Sequence, residues 1–192
     1  MVYNGYNCKI RRVNMKSYRS VLKRFLFVLT LCVLMSSGTA YAARTKLVPM
    51  KKLQRYTYFR RYMSKKQLKK AYNKAKPIVK PLLGKKKADQ LVGVAVGLRQ
   101  LVDSGKVGYT MKKKHYNDPY GYLVKGYASC AGCARTVGLC LNMLGIKYSH
   151  VHENKYCHQW ARVKVGKTWW ICDPYGLYCG PEPGKKKHPY LR

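Results

Sequence analysis

Two stretches of the chain carry apolar residues at the spacing of an amphipathic helix. In the first, Ser64 and Gln67 form a capping box, and the apolar positions between this box and Pro77 are Leu68, Ala71, Tyr72 and Ala75. The second predicts a helix over residues 88–104, ended by Gly105, with apolar positions Leu91, Val94, Ala95, Leu98 and Leu101. The first set predicts a short basic amphipathic helix, and the apolar stripe of the second is predicted to face a core.

A third stretch, residues 130–144, repeats apolar positions at spacings of three and four and predicts a helix with one buried face. Beyond this helix the chain is predicted to form strands, over residues 147–152, 158–165 and 168–172. Strands joined by short turns pair as an antiparallel sheet. The pattern therefore predicts an α+β fold.

The dipeptide Gly166-Lys167 is typical of a two-residue hairpin turn between the last two strands. Such a turn sets the register, because the residues that flank it must pair. Continued along both strands, this register places His158 and Asp173 on the same face of the sheet as diagonal neighbours, roughly 7 to 8 Å apart at the backbone. Their side chains are then within reach of each other.

The first 42 residues have the pattern of a secretory signal peptide: a basic start through Arg24, an apolar run over residues 25–35, and small residues ending at Ala42. The apolar run is shorter than the roughly 18 to 20 residues that span a bilayer, so no stable membrane span is expected after cleavage. Met15 is an alternative start that leaves a signal of more ordinary length. The sequence therefore predicts a protein that is secreted or associated with the cell envelope.

The chain is strongly basic, with 40 Lys and Arg against 6 Asp and Glu and a net charge of +34. Residues 43–87 are predicted as a basic N-terminal segment before a domain at residues 88–192, and residues 44–87 hold 17 Lys and Arg and no acidic residue. The positive electrostatic field of such a segment attracts polyanions. Because the sequence has no nucleic-acid-binding motif and the protein is expected to be exported, anionic cell-envelope polymers fit better than DNA or RNA. A solvated basic face or a pro-segment without a specific ligand stays open as the alternative.

The residue types that acyl transfer needs occur in order as Cys130, His158 and Asp173. A thiolate attacks an amide carbonyl, an imidazole carries the proton, and a carboxylate holds the imidazole in the useful tautomer. Cys130 begins the third predicted helix, where backbone N–H groups and the helix dipole stabilise a thiolate. These three residues are the candidate catalytic residues.

The segment around Cys130 resembles the nucleophile stretch of the transglutaminase-like superfamily, whose catalytic core is of the papain type. It reads GYASCAGCA from Gly126 and opens the predicted helix. The family's helix ends in a Leu-Gly-Ile-like turn about four helical turns later, and the Leu-Gly-Ile that starts at Leu144 meets that distance. The spacing identifies Cys130, not Cys133, as the nucleophile.

The two remaining motifs of the family come next in order: His-Gln-Trp from His158, and Trp-Trp-Ile-Cys-Asp-Pro up to Pro174. The resemblance covers roughly residues 107–175 and implies a papain-like transglutaminase core, with the nucleophile helix packed on an antiparallel sheet. It implies a Cys-His-Asp enzyme that acts on protein or peptide amides, and no cofactor is expected. Resolution of the acyl-enzyme by an amine, as in a transglutaminase, or by water, as in a protease or amidase, stays open.

Two other functional interpretations stay open. Cys130 and Cys133, together with the later pair Cys157 and His158, have the ligand types of a zinc site, although the sequence has no second Cys-x-x-Cys pair and a metal ion there would block the triad. The alternative to an enzyme is a non-catalytic basic module that binds envelope polymers through residues 44–87.

The remaining histidines and cysteines of this region carry weaker signals. The strand pattern gives His150 and His152 no acidic partner such as Asp173 is for His158, and both are predicted to face solvent. Export permits disulfides among the six cysteines that lie beyond Ala42. If Cys130 is kept as a free nucleophile, an odd number remains, so at least one more thiol stays without a partner in the chain, and the pairing is left open.

Overall fold

The structure is a computed structural model that describes residues 44–152 and 154–191. The signal peptide predicted for residues 1–42 lies outside the described residues. Among the helices that are described, none combines the length and the apolar character needed to cross a lipid bilayer.

The three predicted helices occur in order among the described residues, after a short helix that the sequence does not predict. The described helices are α1 (Tyr56–Arg60), α2 (Lys65–Val79), α3 (Lys87–Asp103) and α4 (Cys130–Met143), with 3₁₀ turns at Met50–Lys52 and Lys80–Leu82 and a π-helical turn at Gly121–Lys125. The capping box of α2 is confirmed, because the Gln67 N–H donates to Ser64 Oγ at 3.2 Å and the Ser64 N–H donates to Gln67 Oε1 at 2.8 Å. The helix does not end at Pro77, the proline that follows its apolar positions, but continues to Val79.

The strands of the described residues form two sheets. A short parallel pair, β1 (Gly108–Tyr109) and β2 (Tyr127–Ala128), leads into α4. The larger sheet is antiparallel and consists, in spatial order, of β3 (Ser149–Val151), β4 (Trp160–Val165), β5 (Thr168–Asp173) and β6 (Tyr178–Pro181). The α+β class and the antiparallel sheet are confirmed, whereas β6 is absent from the sequence prediction.

The hairpin between β4 and β5 is confirmed with its register. The two strands pair from Val165 opposite Thr168 to Ala161 opposite Cys172. Gly166, the first central residue of the turn, has a φ of 57°, and the second, Lys167, does not have a positive φ, which is the pattern of a type II′ turn with glycine at its first central position. This register brings the end of β5 beside the start of β4.

Helix α4 lies at the centre of the molecule, and every residue from Ala131 to Met143 is buried. The prediction of one buried face is wrong, because α4 packs on β4 and also on α2 and α3. Its first turn is held by a close approach of the chain at Tyr116, whose carbonyl oxygen accepts a 2.7 Å hydrogen bond from the Ser129 N–H. Gly132 permits this approach, since a Cβ there would lie 2.5 Å from the same oxygen.

Residues 44–87, predicted as a basic segment separate from residues 88–192, share one hydrophobic core with them. That core draws buried side chains from both parts, among them Phe59, Leu68, Val79, Leu91 and Leu141. The Val48 N–H also donates to the Met143 carbonyl oxygen of α4 at 2.8 Å. The described residues therefore belong to one compact unit, in which the basic segment supplies buried side chains as well as exposed lysines.

Candidate active site

Cys130 is placed by the transition from β2 into α4. Ala128 ends β2, Ser129 is the extended N-cap with φ −92° and ψ −178°, and Cys130 is the first helical residue. The first N–H groups of a helix have no acceptor inside the helix, so they point at the space around its first residue. The Cys130 thiol is partly exposed, although the helix behind it is buried.

Asp173 ends β5, and only 2% of its side chain is exposed. Its Oδ2 accepts a 2.6 Å hydrogen bond from His158 Nε2, and its Oδ1 accepts a 2.9 Å hydrogen bond from the Gly176 N–H. Glycine is needed at position 176, because a Cβ there would collide with Oδ2. The carboxylate is thus held in one orientation, facing His158.

His158 lies just before β4, with 15% of its side chain exposed. The loop that presents it is held by Asn154, whose Nδ2 donates to the His158 carbonyl oxygen at 3.2 Å. The imidazole stacks on Trp160, with ring centres 6.1 Å apart. Because Nε2 is hydrogen-bonded to Asp173, Nδ1 is the ring nitrogen that remains for the hydrogen bond with the Cys130 thiol.

This environment favours a charged imidazolium next to the thiol. Burial by itself would lower the pKa of His158, but the hydrogen bonds with Asp173 and Cys130 raise that pKa to about 10. Burial by itself would raise the pKa of Asp173, but the hydrogen bonds and charge from His158, the contact with His188 and the Gly176 N–H lower it to about 2. At neutral pH the pair is therefore an imidazolium and a carboxylate.

Cys133 lies one helical turn after Cys130 and has the opposite surroundings. It is only 1% exposed, and burial, together with the smaller effect of the Asp173 charge, raises the pKa of the Cys133 thiol well above its usual value. Burial likewise raises the pKa of Cys140 to about 12. Of the three thiols on α4, Cys130 alone is both accessible and hydrogen-bonded to an imidazole.

Two tyrosines form a wall beside Cys130. Tyr175 lies close enough to Cys130 for the two groups to interact electrostatically, and its hydroxyl donates to the Ala128 carbonyl oxygen at 3.3 Å. The ring of Tyr109 packs on it with ring centres 5.9 Å apart and is itself exposed.

The structure thus brings the three predicted residues together, and it adds two that the sequence analysis misses. Gly176 has a weak signal, as a glycine just after Asp173 and Pro174. His188, whose Nε2 lies 3.3 Å from Asp173 Oδ2, comes directly after a run of three lysines with no motif or periodicity. Local sequence does not distinguish it from a histidine in a solvated basic stretch.

The prediction that His150 faces solvent is wrong. Its Nε2 lies 2.9 Å from Gln159 Oε1, and its Nδ1 lies 3.4 Å from the hydroxyl of Tyr58, which reaches over it from α1. Burial lowers the pKa of His150 to about 3, so the ring is neutral and donates to Gln159. His152 is exposed, as expected. The network fixes the residue next to His158.

The zinc interpretation and the disulfides can be compared with this arrangement. In the part of the chain that the structure describes, no three His, Cys, Asp or Glu side chains are arranged to hold a metal ion. Five of the cysteines are thiols rather than disulfides: Cys130, Cys133, Cys140, Cys172 and Cys179.

A groove of about 510 Å³ between α2 and α3, lined by residues that include Ile78 and Gly97, shares no residue with the site.

The sequence matches none of the protein-family models and none of the curated proteins with which it was compared. A function must therefore be inferred from the residues of the site and their geometry.

Proposed function

We propose that this protein is a transglutaminase-like cysteine enzyme with a papain-like core, which acts on protein or peptide amides outside the cell or in the cell envelope. The observation that carries the proposal is the His158 ring, held by Asp173 through Nε2 at 2.6 Å while its other nitrogen is left for Cys130 at the start of α4. A buried carboxylate, an imidazole and an accessible thiol in this order are the groups that acyl transfer requires.

In the first step, the Cys130 sulfur attacks the carbonyl carbon of a carboxamide. The negative charge that develops on the carbonyl oxygen is stabilised by N–H groups at the start of α4, with the Cys130 N–H as the candidate donor. His158 then gives the proton on Nδ1 to the leaving nitrogen. The C–N bond breaks, ammonia or an amine departs, and a thioester remains on Cys130.

In the second step, Nδ1 of His158 takes a proton from an incoming amine or water molecule, which attacks the thioester carbon. The C–S bond breaks, the sulfur leaves as a thiolate, and the protonated His158 stabilises it. An amine yields a new amide, as in a transglutaminase, and water yields a carboxylic acid, as in a protease or amidase. Throughout, Asp173 keeps Nε2 protonated and the ring oriented.

The experiment is a turnover assay with a glutamine-containing peptide, with and without a primary amine, read by mass spectrometry. Amide exchange, deamidation or cleavage of the peptide is the expected product. Cys130→Ala is expected to abolish turnover, whereas the matched control Cys133→Ala, one helical turn away, keeps most of it. Full turnover in the Cys130→Ala protein would show that the enzyme proposal is wrong.

Alkylation tests the same site without a substrate. At mildly acidic pH, iodoacetamide is expected to label Cys130 before the other thiols, because this thiol is accessible and hydrogen-bonded to the His158 imidazole. In a His158→Ala protein this preference is expected to disappear. Equal labelling of all accessible thiols in the wild type contradicts an activated nucleophile.

A second candidate function, binding of anionic cell-envelope polymers, has its own support on the outer face of α2. Five lysines of this helix are exposed: Lys65, Lys66, Lys69, Lys70 and Lys74. No acidic residue occurs within residues 44–87 to neutralise them. Like charges three or four positions apart destabilise a helix. A positively charged face of this kind attracts polyanions.

The test replaces four of these lysines at once, Lys65, Lys66, Lys69 and Lys70, by glutamine. A control protein carries the same charge change at exposed lysines elsewhere, Lys112, Lys114, Lys164 and Lys167. With polyphosphate as the probe, the α2 variant is expected to lose about 0.9 per lysine from the slope of log affinity against log salt. Turnover should be unchanged in both proteins. Equal weakening in both would show an effect of net charge only and no binding face on α2.

A further inference from the structure

His188 is a buried histidine that the proposed acyl-transfer steps do not use. It lies in the segment after β6, and 0% of its side chain is exposed. Three aromatic rings surround it, with ring centres 5.4, 5.6 and 6.2 Å away: Trp160, Tyr178 and Tyr190. An imidazole in such surroundings needs its polar partners inside the protein, because a buried N–H without a partner is costly.

The position of the proton on His188 is set by its neighbours. The Tyr190 N–H donates to Nδ1 at 3.2 Å, so Nδ1 is an acceptor and the neutral ring carries its proton on Nε2. Nε2 makes no well-aligned hydrogen bond within the described residues, and it lies 3.3 Å from Asp173 Oδ2. The contact is longer than that of His158 and bent, so it acts mainly through the attraction between the N–H dipole and the carboxylate charge.

Asp173 Oδ2 therefore faces two Nε2–H groups, from His158 at 2.6 Å and from His188 at 3.3 Å, while Oδ1 is held by the Gly176 N–H. Burial would raise the pKa of Asp173, and His188 is among the groups that lower it. Without His188, Oδ2 would lose one of these two N–H groups. The carboxylate would then be less stable as an anion and freer to turn.

We propose that His188 is a positioning residue of the Cys130–His158–Asp173 site, which keeps Asp173 ionised and in the orientation that directs His158 at Cys130. The inference rests on the proposed function. His188 meets the His158 ring edge-on, with ring centres 6.4 Å apart, and it acts through Asp173 rather than on the substrate. Other titratable groups face this pair from α4 and β5, namely Cys130, Cys133 and Cys172, and they stay unchanged in the test.

Two substitutions separate a hydrogen-bond donor from a ring that fills space. His188→Phe fills the aromatic pocket and has no N–H, whereas His188→Gln keeps an N–H donor near the position of Nε2. The first readout is the NMR resonance of the His158 Nε2 proton, which is visible only while Asp173 shields it from exchange with water. The second is kcat on the glutamine-containing peptide.

In the Phe variant the His158 Nε2 proton signal is expected to broaden or vanish, and kcat is expected to fall by up to about a hundredfold with KM little changed. The Gln variant is expected to keep the signal and most of kcat. If the Phe variant keeps both, or if Gln loses as much as Phe, His188 acts through its shape alone and the inference is wrong.

Two further results keep the inference distinct from the proposed function. If the Phe variant does not fold, ¹⁵N NMR of the wild type decides, because a proton on Nδ1 of His188 instead of Nε2 would overturn the inference. Turnover that persists without Cys130 overturns the proposed function. Loss of turnover in Cys130→Ala combined with an indifferent His188→Phe protein overturns only the role of His188.

Discussion

Helix α2 and the end of strand β5 place charged side chains in opposite environments, one exposed to water and the other buried. Five lysines of α2 are exposed to water, and residues 44–87 hold no acidic residue to neutralise them, whereas the Asp173 carboxylate is buried and accepts hydrogen bonds from N–H groups. Water stabilises an exposed charge without help from the protein, but a buried charge is stable only with partners in place. Substitutions are therefore expected to matter little on the exposed face of α2 and greatly around Asp173.

The largest effect is expected at His158, because the proposed proton transfer depends on this single ring. His158→Ala should reduce kcat nearly to the level of Cys130→Ala, because no other described imidazole is hydrogen-bonded to that thiol. His152→Ala is the matched control, since that ring is exposed, and it should leave kcat unchanged. A comparable loss in both proteins would mean that His158 has no special role.

Asp173→Asn should lower kcat on the order of ten-thousandfold. The Gly176 N–H requires an acceptor at Oδ1, so the new amide turns its NH₂ group toward His158 and forces the wrong tautomer. A second buried pair, His115 Nδ1 and Asp118 Oδ2 at 2.7 Å, supplies the control. Asp118→Asn should change stability but not the pH profile of kcat in folded protein, and kcat near the wild-type value in Asp173→Asn would contradict the tautomer argument.

Leu68 and Lys69 allow a buried and an exposed position to be compared within α2 itself. Leu68 is 0% exposed, so Leu68→Ala should lower the free energy of unfolding by about 2 to 5 kcal/mol. The exposed neighbour Lys69 should tolerate alanine within about 0.5 kcal/mol. Urea denaturation measures both, and equal values would show that the basic segment does not share the core.

The last expected effect is a slope rather than a single value, the pH dependence of stability due to His158. Its pKa is about 10 in the folded protein and about 6.5 in an unfolded chain. The stabilisation from its bound proton is complete below pH about 6.5 and is lost as the pH rises to about 10, by up to about 1.4 kcal/mol per unit. His158→Ala should lack this slope in denaturation series across that window, and parallel curves for the two proteins would contradict it.

The helices and the hairpin could be predicted because their signals are local. Leu68 and its neighbours recur at the helical period, and the turn after Val165 sets the β4–β5 pairing by its length. The same counting places His158 and Asp173 on one face of the sheet. In the structure, His158 Nε2 lies 2.6 Å from Asp173 Oδ2. The zinc interpretation, the disulfides and the signal peptide could not be resolved by such counting.

The rest depended on contacts between distant parts of the chain. Periodicity does not show that α4 is buried on all sides, because that depends on α2, α3 and the sheet packing around it. Nor does it show that Tyr58 covers His150, since the two are 92 positions apart. His188 is the clearest case, as only the fold brings it to Asp173.

The sequence by itself determined the α+β class, the apolar faces of α2 and α3 and the hairpin register, because these depend on side-chain periods of 3.6 and 2 that any short segment displays. Only the tertiary structure decided which thiol is accessible, which histidines are buried and how Asp173 remains ionised. Those properties depend on desolvation and on hydrogen-bond partners, and both are set by residues far away along the chain.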